Sequence, residues 1–376
     1  MKKRGFQKTG AKRMPSVMLA ADSLAPGNGG ICRVARLAAR ALALEQVGGR
    51  LRVEALVLRD GVLDPGLGLT GIACSGSRLR FVLAAQRALW RHSHVLYDMG
   101  GIARTHRMLE LCGKPMACWM HGIEIWERAR RDRIYWCGKA GLLLANSNFT
   151  RQRASRLHRG LDHAQVCWLA TEEDAAPAAA PSSREPRVMI LGRIDPSQHK
   201  DLRTKGHEEL LACWPDVLRA VPEARLSIVG GGPGRPEMEH MVRASPISAS
   251  VDFHGFVPDE RLPELFARTS VFAMPSRGEG FGLVYIEAMR HGLPVIASDH
   301  DAAPEVNLHG VTGFNVNLDR PEELPARIIE LLRNPDFAAR MGEAGRQRWA
   351  EHFRFSAFRD RFLGLVRPWL GVEPTK

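Results

Sequence analysis

The sequence predicts an α/β protein of two domains, each built on a parallel sheet. Three observations carry this expectation. The chain has 376 residues, more than a single core of ordinary size organises. Short apolar runs of strand length alternate with longer stretches of helical periodicity, the order of a βαβ fold. The series strand, glycine loop, helix stands near the N-terminus and recurs in the second half, as in nucleotide-binding units.

Residues 1–15 form a basic tail, expected to be loosely attached. SVMLAAD (Ser16 to Asp22) reads as a first buried strand, SLAPGNGGI as a loop, and CRVARLAARALALEQ as an amphipathic helix. LRVEALVL and SHVLYDM (Ser93 to Met99) read as further parallel strands with helices between them. KPMACWMHG (Lys114 to Gly122) is another strand, and His121-Gly122-Ile123-Glu124 follows at its carboxyl edge. Ligands bind at that edge in open α/β sheets, although a lone histidine is more often structural. LLLANSNFTRQR is a strand leading into a helix capped by Ser147 or Asn148. These elements make a first domain over residues 16–174. The Ala/Pro/Ser stretch from Ala175 to Ser183 marks a linker, taken as residues 175–186.

The second domain, residues 187–350, opens with RVMILGR, a strand ending at Arg193. KGHEELLACWPDVL is an amphipathic helix with Lys205 at its start. ARLSIVGGGPGRPEMEHMV repeats strand, glycine loop and helix. VFAMP is a buried strand ending at Pro275. SRGEGFG then supplies Gly278, Gly280 and Gly282, which let backbone approach a ligand without a Cβ in the way. LVYIEAMRH is helical, Gly292 and Pro294 stop it, and PVIAS returns as a strand. The N-terminus of this helix presents free N–H groups to an anion. Glu279 lies in the loop and Glu287 about one and a half turns into the helix, so both can face one crevice. From the residues alone, a plain turn followed by a solvated glutamate is an equal reading, because a loose glycine pattern is weak. PEELPARIIELLRNP and the stretch from Ala338 to Leu370 read as closing helices.

The segment from Glu279 to Glu287 matches E-x7-E, and MPSRGEGFGL, EAMRHGLPVIASD and PEVNLHGVTGF surround it. Over these residues the chain resembles the retaining nucleotide-sugar glycosyltransferases of the family-four type. The resemblance is close from about Arg187 to Trp349 and patchy before that. It implies the GT-B architecture, two Rossmann-like domains facing across a cleft, with a last helix (351–376) crossing back onto the first domain. It also implies roles by position. Glu279 contacts the donor sugar, and Glu287 holds the ribose hydroxyls. Gly280, Phe281, Gly282 and Leu283 shape the donor loop, and Glu305 in APEV completes it. Arg193 and Lys205 reach the pyrophosphate, with Lys200 or Arg203 as alternatives because the gap after Arg193 is long. Gly29 and Gly30 correspond to the family's N-terminal glycine pair. His121 corresponds to its HG motif near the reacting centre, and Val257 in HGFV to the turn beside the base. The family's PNG at the domain junction is missing here, which leaves the hinge geometry open. The implied chemistry needs no cofactor and no metal: two cations neutralise a diphosphate leaving group.

Composition fits this reading. Hydrophobic residues make up 45% and charged residues 25%, the values of an ordinary globular protein. No apolar run approaches the ~18–20 residues that span a bilayer, and no signal peptide is evident. Seven scattered cysteines suit reduced thiols in a cytoplasm. The net charge of +12 concentrates its arginines in the first half, which suits anionic lipid or phosphorylated substrates. No nucleic-acid motif accompanies it. The expectation is therefore a retaining hexosyltransferase using a UDP-glucose or GDP-mannose type donor and a glycan or lipid-linked acceptor. It would be cytoplasmic and peripheral at the inner face of an anionic membrane. The rivals are a non-catalytic sugar- or polyanion-binding protein on the same scaffold, or a sugar-nucleotide epimerase.

Overall fold

The structure is a computed structural model that describes residues 14–108, 113–177, 185–195 and 205–372. The expected tail thus lies almost wholly outside the described residues, as do most of the linker and both Lys200 and Arg203.

The first sheet collects β1 (Ser16–Ala21), β2 (Arg52–Val57), β3 (Thr70–Ala73), β4 (His94–Tyr97), β5 (Met116–Met120), β6 (Leu142–Ala145) and β7 (Gln165–Val166). Its order is β3-β2-β1-β4-β5-β6-β7, and every pairing is parallel. Among the described residues, five helices connect these strands: α1 (Gly30–Val47), α2 (Arg78–Arg91), α3 (Gly100–Ala103), α4 (Arg131–Lys139) and α5 (Asn148–Leu157). The strands' period of two divides the core into two layers. Val17 and Leu19 point to the side where α1 packs, with Leu37 and Leu42. Met18 and Ala20 point to the other side, with Phe81 of α2, Ile102 of α3 and Trp136 of α4. β3 and β7 were not foreseen. β3 is an edge strand with little buried side chain, and β7 has only two residues, so neither leaves a hydrophobic pattern.

The second sheet runs β10-β9-β8-β11-β12-β13. It uses β8 (Arg187–Leu191), β9 (Arg225–Val229), β10 (Val251–Gly255), β11 (Val271–Ala273), β12 (Val295–Ser298) and β13 (Gly313–Val316), again all parallel. Val311 and Thr312 form a turn that leads into β13. The helices of this half are α6 (His207–Ala220), α7 (Arg235–Arg243), α8 (Leu262–Arg268), α9 (Leu283–Arg290), α10 (Ala303–Val306) and α11 (Glu323–Arg333), followed by α12 (Pro335–His352) and α13 (Phe355–Leu370).

The final helix does cross back. Phe358 and Phe362 of α13 stack on Trp119 of β5, ring centroids 6.4 and 6.2 Å away. Arg367 of α13 donates to the buried Glu45 of α1 at 2.7 Å. Burial works against the charge of Glu45, yet the guanidiniums of Arg367 and Arg50 hold its carboxyl down at about 2. Trp349 of α12 donates to Thr171 at 3.0 Å and Phe353 O accepts from Thr171 N at 2.9 Å. The two domains are therefore tied at their hinge side by packed aromatics and directed hydrogen bonds, and the cleft opens between the carboxyl ends of the two sheets.

Candidate active site

The donor loop between β11 and α9 is fixed from below before any side chain enters the cleft. Tyr285, fully buried in the first turn of α9, donates its hydroxyl to Met274 O at 2.8 Å. The Ser298 hydroxyl donates to Ser276 O, and Glu279 N donates to Asp301 Oδ2 at 2.8 Å. Asp301 also accepts from Ala303 N at 2.9 Å. Burial pushes the Asp301 carboxyl up to about 7, and the charge of Glu279 adds to the shift. Gly282 starts α9 with φ 93°, a left-handed conformation in which a Cβ would strike the Tyr285 ring.

Gly280 is where the two domains meet. A Cβ on it would lie 1.8 Å from His121 O. Its carbonyl accepts hydroxyls from the first domain, Ser147 at 2.6 Å and Thr150 at 3.2 Å. Ser147 is also the cap of α5, accepting from Thr150 N at 3.0 Å, which settles the choice between Ser147 and Asn148.

Around this loop a cavity of about 770 Å³ spans the cleft. Glu279, Glu287, Arg193, Lys205, His121, Gly29, Gly30, Val257 and residues 280–283 all border it. Their charges are arranged in pairs. Lys205 Nζ is on Glu279; burial opposes the ammonium charge, but Glu279 more than offsets it and holds Lys205 above its ordinary value. Glu287 Oε1 pairs with Arg33 of α1 across the cleft, and Arg33 reaches Asp259 at 3.1 Å. Glu287 Oε2 is buried and has no donor among the described residues. Arg193 is 68% exposed by side chain and donates to Asp195 at 2.9 Å.

His121 is oriented by its surroundings. Its ring stacks on Trp119 at 6.0 Å, and Nε2 lies 2.6 Å from Asp98 O. A carbonyl can only accept, so Nε2 carries the hydrogen in this contact. His121 N donates to Glu124 Oε1 at 2.5 Å, so Glu124 serves to shape the loop. Below it, burial pushes the Asp98 carboxyl up to about 8.

One expected residue lies elsewhere, and another serves by its main chain alone. Glu305 does not border the cleft cavity. It accepts from Asn148 N (2.8 Å), Phe149 N (2.6 Å) and Trp168 Nε1 (3.0 Å), so it caps the N-terminus of α5 from the opposite domain. The helix end presents unpaired N–H groups and partial positive charge, and a carboxylate answers both. Phe281 sends its ring into the core, 2% exposed and against Phe353, so only its main chain can serve the cleft. The residues not foreseen include Arg33, Asp259, Asn146, Phe256 and the loop Gly230-Gly231-Gly232, all at the cavity wall. The triple glycine was legible as a strand–helix junction. Arg33 stood out only as one more arginine of a basic helix.

Residues 187–348 match the family described as glycosyl transferases group 1. Over 172 residues the chain is 37% identical to the GDP-mannose-dependent alpha-(1-6)-phosphatidylinositol monomannoside mannosyltransferase of Mycolicibacterium smegmatis, covering 44% of this chain and 43% of that protein. The chain thus spans less than half the length of such mannosyltransferases. It is 26% identical over 365 residues to the alpha-D-kanosaminyltransferase of Streptomyces kanamyceticus, 86% of this chain and 90% of that one. HepE of Anabaena, solved in complex with UDP and glucose, superposes with a TM-score of 0.75 at 18% identity over 93% of this chain and 98% of its own. Sucrose-phosphate synthase from Thermosynechococcus elongatus gives 0.78 at 21% identity over 95% and 99%. At these identities the likeness shows the fold: two Rossmann-like domains across a cleft, the GT-B architecture.

Proposed function

Since residues 187–348 match the glycosyl transferases of group 1, we propose that the chain moves a hexose from a nucleoside-diphosphate sugar of the GDP-mannose or UDP-glucose type to an acceptor hydroxyl. The acceptor is a glycan or a lipid-linked sugar, and anomeric configuration is retained. The observation that carries this reading is the meeting of Glu279, Glu287, Arg193 and Lys205 on one cavity wall beside the N-terminus of α9. Of the proteins named above, the Mycolicibacterium smegmatis mannosyltransferase is GDP-mannose-dependent and HepE was solved with UDP, which supports the donor class and leaves the base to experiment.

In this reading the ribose hydroxyls take the free Oε2 of Glu287, and the diphosphate draws Lys205 away from Glu279. Arg193, exposed and lightly engaged, swings onto the same phosphates. The C1–phosphate bond breaks as the acceptor oxygen bonds C1 on the same face, and the acceptor's proton passes to the departing phosphate oxygen. Products are the glycoside and the nucleoside diphosphate. Glu279, released from Lys205, and His121 hold the sugar while positive charge develops at C1. The contribution is positional and electrostatic. Neither glutamate serves as a covalent nucleophile, and the leaving charge is met by cations of the chain, so activity is expected to persist in a chelator.

The test is thermal unfolding with UDP, GDP, ADP and their sugars, on wild type, Glu287→Gln and Glu287→Ala. Stabilisation by one nucleotide class, lost in both variants, supports the reading and names the donor. No stabilisation by any of them overturns it.

A further inference from the structure

Among the described residues, two side chains of the cleft cavity bury a polar atom that nothing in the chain answers. One is Glu287 Oε2, allotted above to the ribose. The other is Oδ1 of Asn146, the residue that follows β6. Asn146 is 4% exposed. A buried carbonyl oxygen without a donor is costly to keep, so a cavity wall that holds one is built to have it met by an incoming group.

The amide is oriented by its other end. Asn146 Nδ2 donates to His121 O at 2.7 Å. A carbonyl only accepts, so the NH2 group must take that side and Oδ1 is left with its lone pairs. The next residue, Ser147, is fastened to Gly280 O across the cleft. A Cβ on Gly280 would lie 3.1 Å from Asn146 Nδ2. The orphan oxygen therefore belongs to the place where the two domains meet, beside His121.

The loop between β1 and α1 repeats the arrangement. The Ser23 hydroxyl donates to the buried Asp60 Oδ1 at 2.5 Å, which uses its one hydrogen. Toward Asn28 it can then only accept, and Asn28 Nδ2 meets it at 2.9 Å. The NH2 group of Asn28 is tied down and its Oδ1 is left over, on an exposed residue of the cavity wall beside Gly29. Asp60 Oδ2 also accepts from Leu24 N at 2.7 Å, and Arg36 donates to Leu24 O at 2.7 Å. The loop that carries Asn28 is thus held from both sides.

Two oxygens that can only accept do not suit a diphosphate, which has no hydrogen to give them. They suit a neutral hydroxyl. We propose that Asn146 and Asn28 bind sugar hydroxyls on the first-domain wall of the cleft, with Ser23 and Asp60 positioning Asn28. The inference rests on the transferase reading and adds to it which side chains read the sugar. The hydroxyls belong to the hexose being moved or to the sugar that accepts it, and the test separates the two.

The nucleotide that stabilises wild type, and its sugar, are titrated against N146A, N28A, S23A and S23T. Release of nucleoside diphosphate is followed with methyl α-mannoside as the acceptor probe. Affinity for the free nucleotide is expected to stay at the wild-type value. If the hydroxyls are the donor's, N146A, N28A and S23A bind the nucleotide sugar about three- to tenfold more weakly. If they are the acceptor's, that affinity is unchanged and KM for methyl α-mannoside rises by the same factor. S23T keeps the hydroxyl and should restore the wild-type values, whereas a Ser23 that only stabilises the fold would move Tm alone. N28A changes an exposed residue and keeps the wild-type Tm, so the proposal is tested even where N146A fails to fold. A free nucleotide weakened as much as its sugar would place the asparagines on the nucleotide and overturn the proposal. Unchanged nucleotide-sugar affinity together with unchanged KM in N28A overturns it as well. No nucleotide binding by wild type would sink the transferase reading and this proposal together; binding by wild type with unaltered variants sinks this proposal alone.

Discussion

Replacing Glu305 separates its two readings, donor ligand or interdomain cap. Its carboxylate accepts two main-chain N–H groups of α5 and the Trp168 indole at 2.6–3.0 Å. Hydrogen bonds to a charged partner contribute about 1.5–3 kcal/mol each. The residue is half-buried and the freed helix end regains some water, so Glu305→Ala should cost about 3 kcal/mol in total, toward the lower bound. For a domain of this size that lowers Tm by about 6–12 °C. Glu305→Gln keeps an acceptor and loses the charge, and should fall by about half as much. The assay is thermal unfolding together with nucleotide titration in the same samples. The cap predicts a lowered Tm with nucleotide affinity changed little at temperatures where the variant is folded. An unchanged Tm with nucleotide binding abolished would refute the reasoning and return Glu305 to the donor.

Three further outcomes follow from the cleft. Glu279→Gln removes the partner of Lys205 and the anion beside C1. It should lower kcat by about a hundredfold or more while leaving nucleotide affinity within a few fold, checked by turnover and titration. Gly280→Ala places a methyl 1.8 Å from His121 O; the loop must shift, at about 1–3 kcal/mol, and both Tm and turnover should drop, whereas Gly364→Ala, with open space around it, should do neither. Asp98 has its folded carboxyl pushed up by burial to about 8 from 3.8. Its native form therefore binds more protons than the unfolded chain between those values, and stability present below about pH 4 is lost as pH rises toward 8. Asp98→Asn should leave Tm unchanged near pH 4 and raise it by pH 8, reflecting a gain in stability of a few kcal/mol at most; a Tm difference that does not vary with pH would contradict this.

Much of the site was readable because it is built from local patterns. The glycines at 280 and 282 stand where a Cβ has no room, and that need is written into the loop itself. Glu279 and Glu287 are eight residues apart on a loop and the helix it starts, so periodicity alone can aim both at one crevice. Lys205 and Arg193 end up at the same wall because strand ends and helix starts of a parallel sheet share an edge. The α5 cap was narrowed to two neighbours from sequence, and Ser147 was chosen by its contact to Gly280, a residue 133 positions away.

Sequence patterns alone foretold most strands and helices of both sheets, though not β3 or β7, and many of the residues that reach the cleft, though not Arg33 or Asp259. Those follow from periods of two and 3.6, which depend only on near neighbours. Tertiary structure alone decided the partners. It set Lys205 on Glu279, Arg33 on Glu287, and the Glu305 carboxylate on α5 rather than on the donor. A carboxylate's chemistry is the same in every setting; whether it meets a ribose, a guanidinium or a helix end depends on which distant segment the packing brings to within 3 Å, and no local period encodes that distance.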